Sequence, residues 1–230
     1  MGDDGIKAYQ IYYDESQKDS LMDGFIPHFN EKATINLESG IICDLVNQGE
    51  CSNCDWFGVF SWKVQDKVRG LNFNRLQRVI RKNKEADFFA PKPRNYCFPT
   101  IQTEHNYRLQ DADTMGGLWA GFDLLVKKLG ISDGKVLSGS GHGVYFNSFL
   151  ARPEIYLDYV NSLLKPAIEL CASDEELSTL VMSPSGYAKP PPQNFINDTG
   201  VEQYPWIPFI LERLINVYIE VNDIKVGWKL

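Results

Sequence analysis

The chain has 230 residues, 43% apolar and 23% charged, the balance of an ordinary globular protein that can bury a full core. Its 30 acidic and 23 basic residues leave a net charge of -7, which argues against a general nucleic-acid binder or a protein drawn to anionic membranes. No apolar run approaches the roughly 20 residues that span a bilayer, and Met1-Gly-Asp-Asp-Gly5 is acidic where a signal peptide is basic, so a cytoplasmic location is expected.

In chain order, Ile6 to Tyr13 is β-branched and aromatic and ends at Asp14, the pattern of a first core strand. It leads into the polar stretch Glu15 to Asp23. The cysteines Cys43, Cys51, Cys54, Cys97 and Cys171 are odd in number and make no disulfide framework for a domain of this size, so reduced thiols are expected. Cys51-Ser-Asn-Cys54 has zinc-knuckle spacing, and Cys43, His28 or Cys97 would have to complete it. The second pair that a structural zinc site normally uses is missing, and two cysteines in a turn is the simpler reading.

Asp55 to Trp62 is a short apolar run, as expected of a strand covered on both faces. From Val64 to Lys84, Val68, Leu71, Leu76, Val79 and Ile80 fall near helical spacing, with Arg75, Arg78, Arg81, Lys82 and Lys84 in the gaps. That is a surface helix region with a solvated basic face, since no aromatics are interleaved with the charges. Ala86 to Ala90 reads as a strand stopped by Pro91 and Pro93.

Asp113 to Leu129 reads as a helix capped by Asp113 or Thr114, with Lys127 and Lys128 in its last turn and Gly130 closing it. A strand from Val144 to Leu150 follows. Pro153 then starts a helix whose apolar stripe runs from Ile155 to Leu170. Ser183 to Val201, with Gly186, Pro190, Pro191, Pro192 and Asn194, is the one long irregular segment, of the kind that forms a lid or acceptor-binding loop. Tyr204 to Tyr218 is a helix-sized apolar run broken at one point by Glu212-Arg213. Opposite charges among buried residues are costly unless paired or used, so this pair is either a site or a structural ion pair.

Strands alternating with helices imply an α/β fold with ligands bound at the carboxyl ends of the strands. The usual phosphate loops are absent: there is no GxxxxGK[ST], and Gly139-Ser-Gly-His-Gly143 precedes a strand instead of opening a helix. It reads as a tight turn, with His142 either a site residue or a plain loop histidine.

Six blocks carry a family resemblance: Tyr9-Gln-Ile-Tyr-Tyr-Asp-Glu15, Gly24-Phe-Ile-Pro27, Trp56-Phe-Gly-Val-Phe-Ser-Trp-Lys63, Ala86-Asp-Phe-Phe-Ala-Pro91, Tyr145-Phe-Asn-Ser-Phe-Leu-Ala151 and Phe209-Ile-Leu-Glu-Arg-Leu214. In this order the chain resembles the small GT-A-type glycosyltransferases of bacterial surface-polysaccharide clusters and large algal viruses. The resemblance implies a Rossmann-like, GT-A-type α/β fold: a mixed, mainly parallel sheet with helices on both faces. It implies a single domain over 1–230, with a nucleotide-sugar half over about 1–110 and an acceptor half over about 111–230.

The implied activity is transfer of a sugar from a nucleoside-diphosphate donor to a hydroxyl of a glycan or glycoconjugate acceptor. Gln10, Tyr12 and Asp14 would border the base, and Ser61 with Lys63 the ribose or diphosphate; a lysine suits a diphosphate as a point charge. Such enzymes hold a divalent cation, Mn²⁺ or Mg²⁺, with an Asp-x-Asp at a strand end. Here Asp87-Phe-Phe supplies one carboxylate at the expected strand, while Asp111-Ala-Asp113 comes later, directly before a helix, where Asp113 is the better N-cap. Asp87 therefore ranks ahead of Asp111 and Asp113 as metal ligand, and the incomplete motif leaves open an enzyme that does without the ion. Glu212 is the first candidate for general base, with Arg213 orienting it or neutralising phosphate, and Glu104-His105 is the second. His142 and Asn147 are candidates for the acceptor side, Asn147 reading equally as a hydrogen-bonded strand residue. A sugar- or protein-binding module that has lost catalysis is the alternative on the same scaffold.

Overall fold

The computed structural model describes residues 5–68, 70–90, 118–131, 144, 147–187 and 189–227. Strand β1 (Ile6–Tyr12) leads into a 3-10 helix (Glu15–Ser20), the short strand β2 (Ile26–Phe29) and helix α1 (Glu38–Asn47). Strand β3 (Trp56–Ser61) is followed by α2 (Val64–Lys67), α3 (Phe73–Lys82) and β4 (Phe88–Phe89). Helix α4 (Leu118–Lys128), β5 (Phe149–Ala151) and α5 (Pro153–Tyr159) come next, and α5 runs through a π turn (Val160–Leu164) into α6 (Lys165–Ser173). The remainder is α7 (Glu175–Val181), α8 (Gln193–Thr199), α9 (Ile207–Val221) and β6 (Val226–Gly227).

These strands form one sheet in the order β2-β1-β3-β5-β4-β6. β1 runs parallel to β2 and β3, and β4 runs parallel to β6, while β5 is antiparallel to both its neighbours, β3 and β4. The sheet is mixed and mainly parallel, with helices on both faces, as expected from the sequence. Successive strand residues point to opposite faces, and each face has its own core. Phe57 and Val59 of β3 join Tyr9, Ile11, Phe88 and Phe149 under α1, α4, α5 and α9. Trp56 and Phe60 join Ala8, Phe89 and Leu150 on the other side, against Phe25, Val64, Leu71, Leu76 and Val79. Gly58 sits between them because a Cβ there would lie 2.8 Å from Phe60, 2.9 Å from Leu150 and 3.0 Å from the Phe149 carbonyl oxygen.

One side chain closes the step from the parallel strands to the antiparallel one. Val59 and Phe149 are register partners across β3 and β5. The fully buried Tyr156 of α5 accepts a hydrogen bond from Val59 N–H (3.3 Å) and donates one to the Phe149 carbonyl (2.9 Å). Its ring stacks on Phe149 at 4.5 Å and meets Phe57 edge-on at 4.8 Å, so α5 is docked by both ends of one residue.

The structure differs from the sequence expectations at several elements. The strand expected over Val144 to Leu150 begins only at Phe149, because Asn147 has φ of 47°, which no extended strand contains. The helix expected after Pro153 runs on to Ser173, and its π turn directly precedes Pro166, whose missing N–H removes a rung and whose ring displaces the carbonyl four residues back. The segment Ser183 to Val201 is not irregular throughout: it contains α8, stopped by Gly200 at φ of 71°. The start of the helix expected from Asp113 lies outside the described residues.

Tyr156→Phe keeps both ring contacts and deletes the hydroxyl that Val59 N–H donates to. We expect a loss of about 1–3 kcal/mol, read as a lower urea midpoint at unchanged slope. An unchanged midpoint would show that the strands close the ladder without it.

Candidate functional site

β1 and β3 are adjacent and parallel, but the chain leaves their carboxyl ends in opposite directions, from β1 toward β2 and from β3 toward β4. Such a switch point opens a crevice. A cleft of about 450 Å³ lies there, lined by Tyr13 after β1, by Ser61, Trp62 and Lys63 at the end of β3, and by Leu37 and Glu38 at the start of α1. Tyr187, Lys189, Asn194 and Phe195 of the segment around α8 form a further wall, and Tyr204, Phe209 and Glu212 line it from α9 and its approach. The segment expected to act as a lid or acceptor loop is therefore part of the cleft. It is tied down across the opening by Asp198, whose carboxylate accepts from Ala33 N–H at 2.8 Å.

Local geometry presents each polar group. In the turn after β3 the Ser61 hydroxyl accepts from Lys63 N–H at 3.2 Å, and the Lys63 ammonium lies 4.6 Å from the centre of the Trp62 ring, leaving the cation exposed at the cleft. On α9, Phe209 and Glu212 are three residues apart and share a face, which looks into the cleft. Arg213 lies a further 100° or so around the helix, is buried, and its Nη1 donates to the Phe209 carbonyl at 2.6 Å. The two charges of the Glu-Arg pair thus serve different sides of α9.

The floor of the cleft at α1 is strained. Leu37 has φ of 46° and ψ of -130°, a conformation worth about 1–3 kcal/mol of strain for a side chain of this type. Two residues on, the fully buried Ser39 Oγ lies 3.1 Å from Asn147 Nδ2, which donates to it, and Asn147 itself has φ of 47°. Among the described residues the Asn147 Oδ1 is buried without a hydrogen-bond partner. Burial first, then the Glu38 carboxylate, pushes the Tyr13 phenol well above its ordinary range. Burial, then Glu38 and Tyr187, also raises the Tyr204 phenol above its ordinary value. Both phenols stay protonated. Tyr204 is part of an aromatic wall, with ring centres 5.1 Å from Phe195, 5.9 Å from Tyr187 and 6.4 Å from Phe209.

Of the residues expected at the site, Ser61, Lys63 and Glu212 line the cleft. Gln10 does not: it is fully buried, its carbonyl oxygen accepting from Met22 N–H at 2.8 Å and its amide reaching the Trp62 carbonyl at 3.4 Å, so it supports the turn that carries Lys63. Tyr12 is buried against Phe29, with ring centres 5.1 Å apart, because strand alternation turns it away and presents Tyr13 instead. Asp14 is exposed and caps the 3-10 helix through Ser16 N–H, whose hydrogen bonds hold its carboxyl below the usual range. Asp87 precedes β4, which runs parallel to β1 and β3, so it lies at the end of the strands opposite the cleft, where its carboxylate is 3.8 Å from Arg152. Asn147 lies beside α1 through Ser39. Glu104, His105, Asp111, Asp113 and His142 lie outside the described residues.

Asp87 lies at the amino end of its strand, away from the cleft, and among the described residues no group of three His, Cys, Asp or Glu side chains is disposed to hold a metal ion. The Cys51 and Cys54 pair forms a turn in which the Cys54 thiol donates to the Cys51 carbonyl at 3.3 Å. Among the described residues no helix is long and apolar enough to cross a membrane.

Sequence reasoning passed over Glu38, Tyr13, Tyr204 and Lys189. A usable signal existed for Tyr13, the odd-phase residue at the end of an alternating strand, and for Lys189, the cation beside three prolines. Glu38 sits in Asn36-Leu-Glu-Ser-Gly40, which reads as a turn.

No family model matches the chain, and no curated protein matches it. Among solved structures, the apo structure of the bifunctional glycosyltransferase WbbM is similar at 13% identity with a TM-score of 0.45, over 97% of this chain and 44% of that one. The chain thus spans less than half the length of that protein.

The junction at Asn147 gives a test. Asn147→Ala and Asn147→Gly both lose the hydrogen bond to Ser39, but only glycine tolerates the positive φ freely. We expect the alanine variant to be less stable than the glycine variant by about 1 kcal/mol in urea unfolding. Equal stabilities would mean that the backbone there relaxes.

Proposed function

We propose that the chain is a glycosyltransferase that moves a sugar from a nucleoside diphosphate to a glycan hydroxyl. The observation that supports it best is Glu212, a half-buried carboxylate facing a cleft at the carboxyl ends of β1 and β3 that also holds Lys63. In this reading Glu212 takes the proton of the acceptor hydroxyl as its oxygen attacks the anomeric carbon. The bond from that carbon to the diphosphate oxygen breaks, and the leaving group departs with growing negative charge. Lys63 and Lys189, from different walls, offer point charges where that charge develops. Arg213 acts from behind the helix, holding the turn that carries Glu212 through the Phe209 carbonyl.

The test uses UDP-, GDP- and dTDP-sugars, following release of the nucleoside diphosphate with and without saccharide acceptors. Wild-type protein should release it. Glu212→Gln keeps size and hydrogen-bonding capacity but loses basicity, so turnover should fall by about 10²-fold or more while donor affinity and melting temperature stay near wild type. A melting temperature that drops with turnover unaffected would make Glu212 structural, and tight binding without release by wild type would favour a non-catalytic sugar-binding module. Lys63→Ala should weaken a nucleoside diphosphate roughly tenfold while leaving the bare nucleoside unaffected. Equal losses for both would remove Lys63 from the diphosphate.

A further inference from the structure

Taking the cleft as a glycosyltransferase site, its charges are unevenly placed. Lys63 and Lys189 are exposed cations at the cleft, whereas Glu38 is a half-buried carboxylate set among tyrosines at the start of α1. An ionised carboxylate only accepts hydrogen bonds and repels phosphate, so the part of a sugar nucleotide that lies against it must be a neutral donor. Of the parts of a sugar nucleotide, the ring hydroxyls of the sugar fit that description.

We infer that Glu38, together with the hydroxyl of Tyr204, forms the subsite that takes the hydroxyl edge of a hexose and decides which sugar the protein accepts. The subsite is built from both sides. Tyr204 and its neighbours Tyr187, Phe195 and Phe209 present aromatic rings, and Tyr187 is 47% exposed, free to cover the C–H face of a sugar ring. The carboxylate is fixed by what flanks it: Leu37 before it is held at positive φ, and Ser39 after it is fully buried and bound to Asn147, also at positive φ. Backbone strain of this kind persists only where the surroundings over-determine it, and here it fixes the direction of one acid side chain. Burial first, then Glu38, keeps the Tyr204 phenol protonated, so it remains able to donate to ring oxygens as well as accept from hydroxyls, while the Tyr13 hydroxyl is buried behind it.

A site that pairs buried polar groups with substrate hydroxyls discriminates strongly by hydroxyl pattern. The inference rests on the glycosyltransferase reading, and its test separates the two. Affinities are measured by calorimetry for UDP-glucose, UDP-galactose, GDP-mannose and dTDP-rhamnose and for UDP, GDP and dTDP alone. One sugar nucleotide should bind wild type more tightly than its own diphosphate. Glu38→Gln, and Tyr204→Phe as a milder variant that removes a single hydroxyl, should each shrink that difference roughly tenfold at unchanged diphosphate affinity. A sugar nucleotide that gains nothing over its diphosphate, or a gain that survives both substitutions, overturns the subsite. If wild type binds no sugar nucleotide, the glycosyltransferase reading fails on its own, and saturation-transfer NMR with glucose, galactose and mannose decides the subsite. Hexose signals present with wild type and lost with Glu38→Gln uphold it, and their absence from wild type, or their persistence in the variant, overturns it.

Discussion

The Tyr156 hydroxyl, set between Val59 N–H and the Phe149 carbonyl, is the contact on which the rest of the structure depends. β3 is the centre of the sheet, parallel to β1 on one side and antiparallel to β5 on the other, and both cores take residues from it. A side chain from α5 that joins the ladder at this point fixes helix, β3 and β5 in one register. Carried on from the Val59–Phe149 pair, the antiparallel register brings the residues before β5 beside the carboxyl end of β3. There Asn147 turns out of the strand and meets Ser39 of α1. The start of α1, and with it one side of the cleft, is therefore set by the same junction that sets the sheet.

The cleft is held on its other side by α9. Glu212 and Phe209 face inward because they are three residues apart, and Arg213 is turned into the protein, where it caps the Phe209 carbonyl. Opposite charges in an apolar helix would be expensive if both were buried without partners. Here each has a separate task, one facing the cleft and one bracing the turn that carries it.

Much of the sheet was legible because its strands carry strong signals. β1 and β3 are aromatic and β-branched runs with few charges, the alternation of strands and helices implies an α/β fold with its crevice at the strand ends, and the family resemblance implies the mixed, mainly parallel sheet. α1 was not legible. Ser39, Ile41, Ile42, Cys43, Leu45 and Val46 are all buried and the exposed polar face is little more than Asp44 and Asn47, too narrow to mark a helical period, while its first residues Glu38-Ser-Gly40 resemble a turn. β2 and β6 are too short for any alternation to register, with four and two residues. At the cleft, Glu212 stands out in the sequence as a charge within an apolar run, and Lys63 through the family resemblance of its block. The resemblance points to Tyr12, but the phase of β1 turns Tyr13 to the cleft, and the two residues of β4 do not tell from sequence at which end of the sheet Asp87 lies. Glu38 acquires its meaning only when α1 is brought against Tyr13 and Tyr204.

The central claim is that the ligand of this protein lies at the carboxyl ends of β1 and β3, with its anionic group toward Lys63. A crystal structure with a bound nucleoside diphosphate tests it most directly. The account predicts the diphosphate in the cleft within ion-pair distance of Lys63 or Lys189. Density for it against the exposed basic residues Arg78 and Lys82 of α3, with the cleft empty, would contradict it.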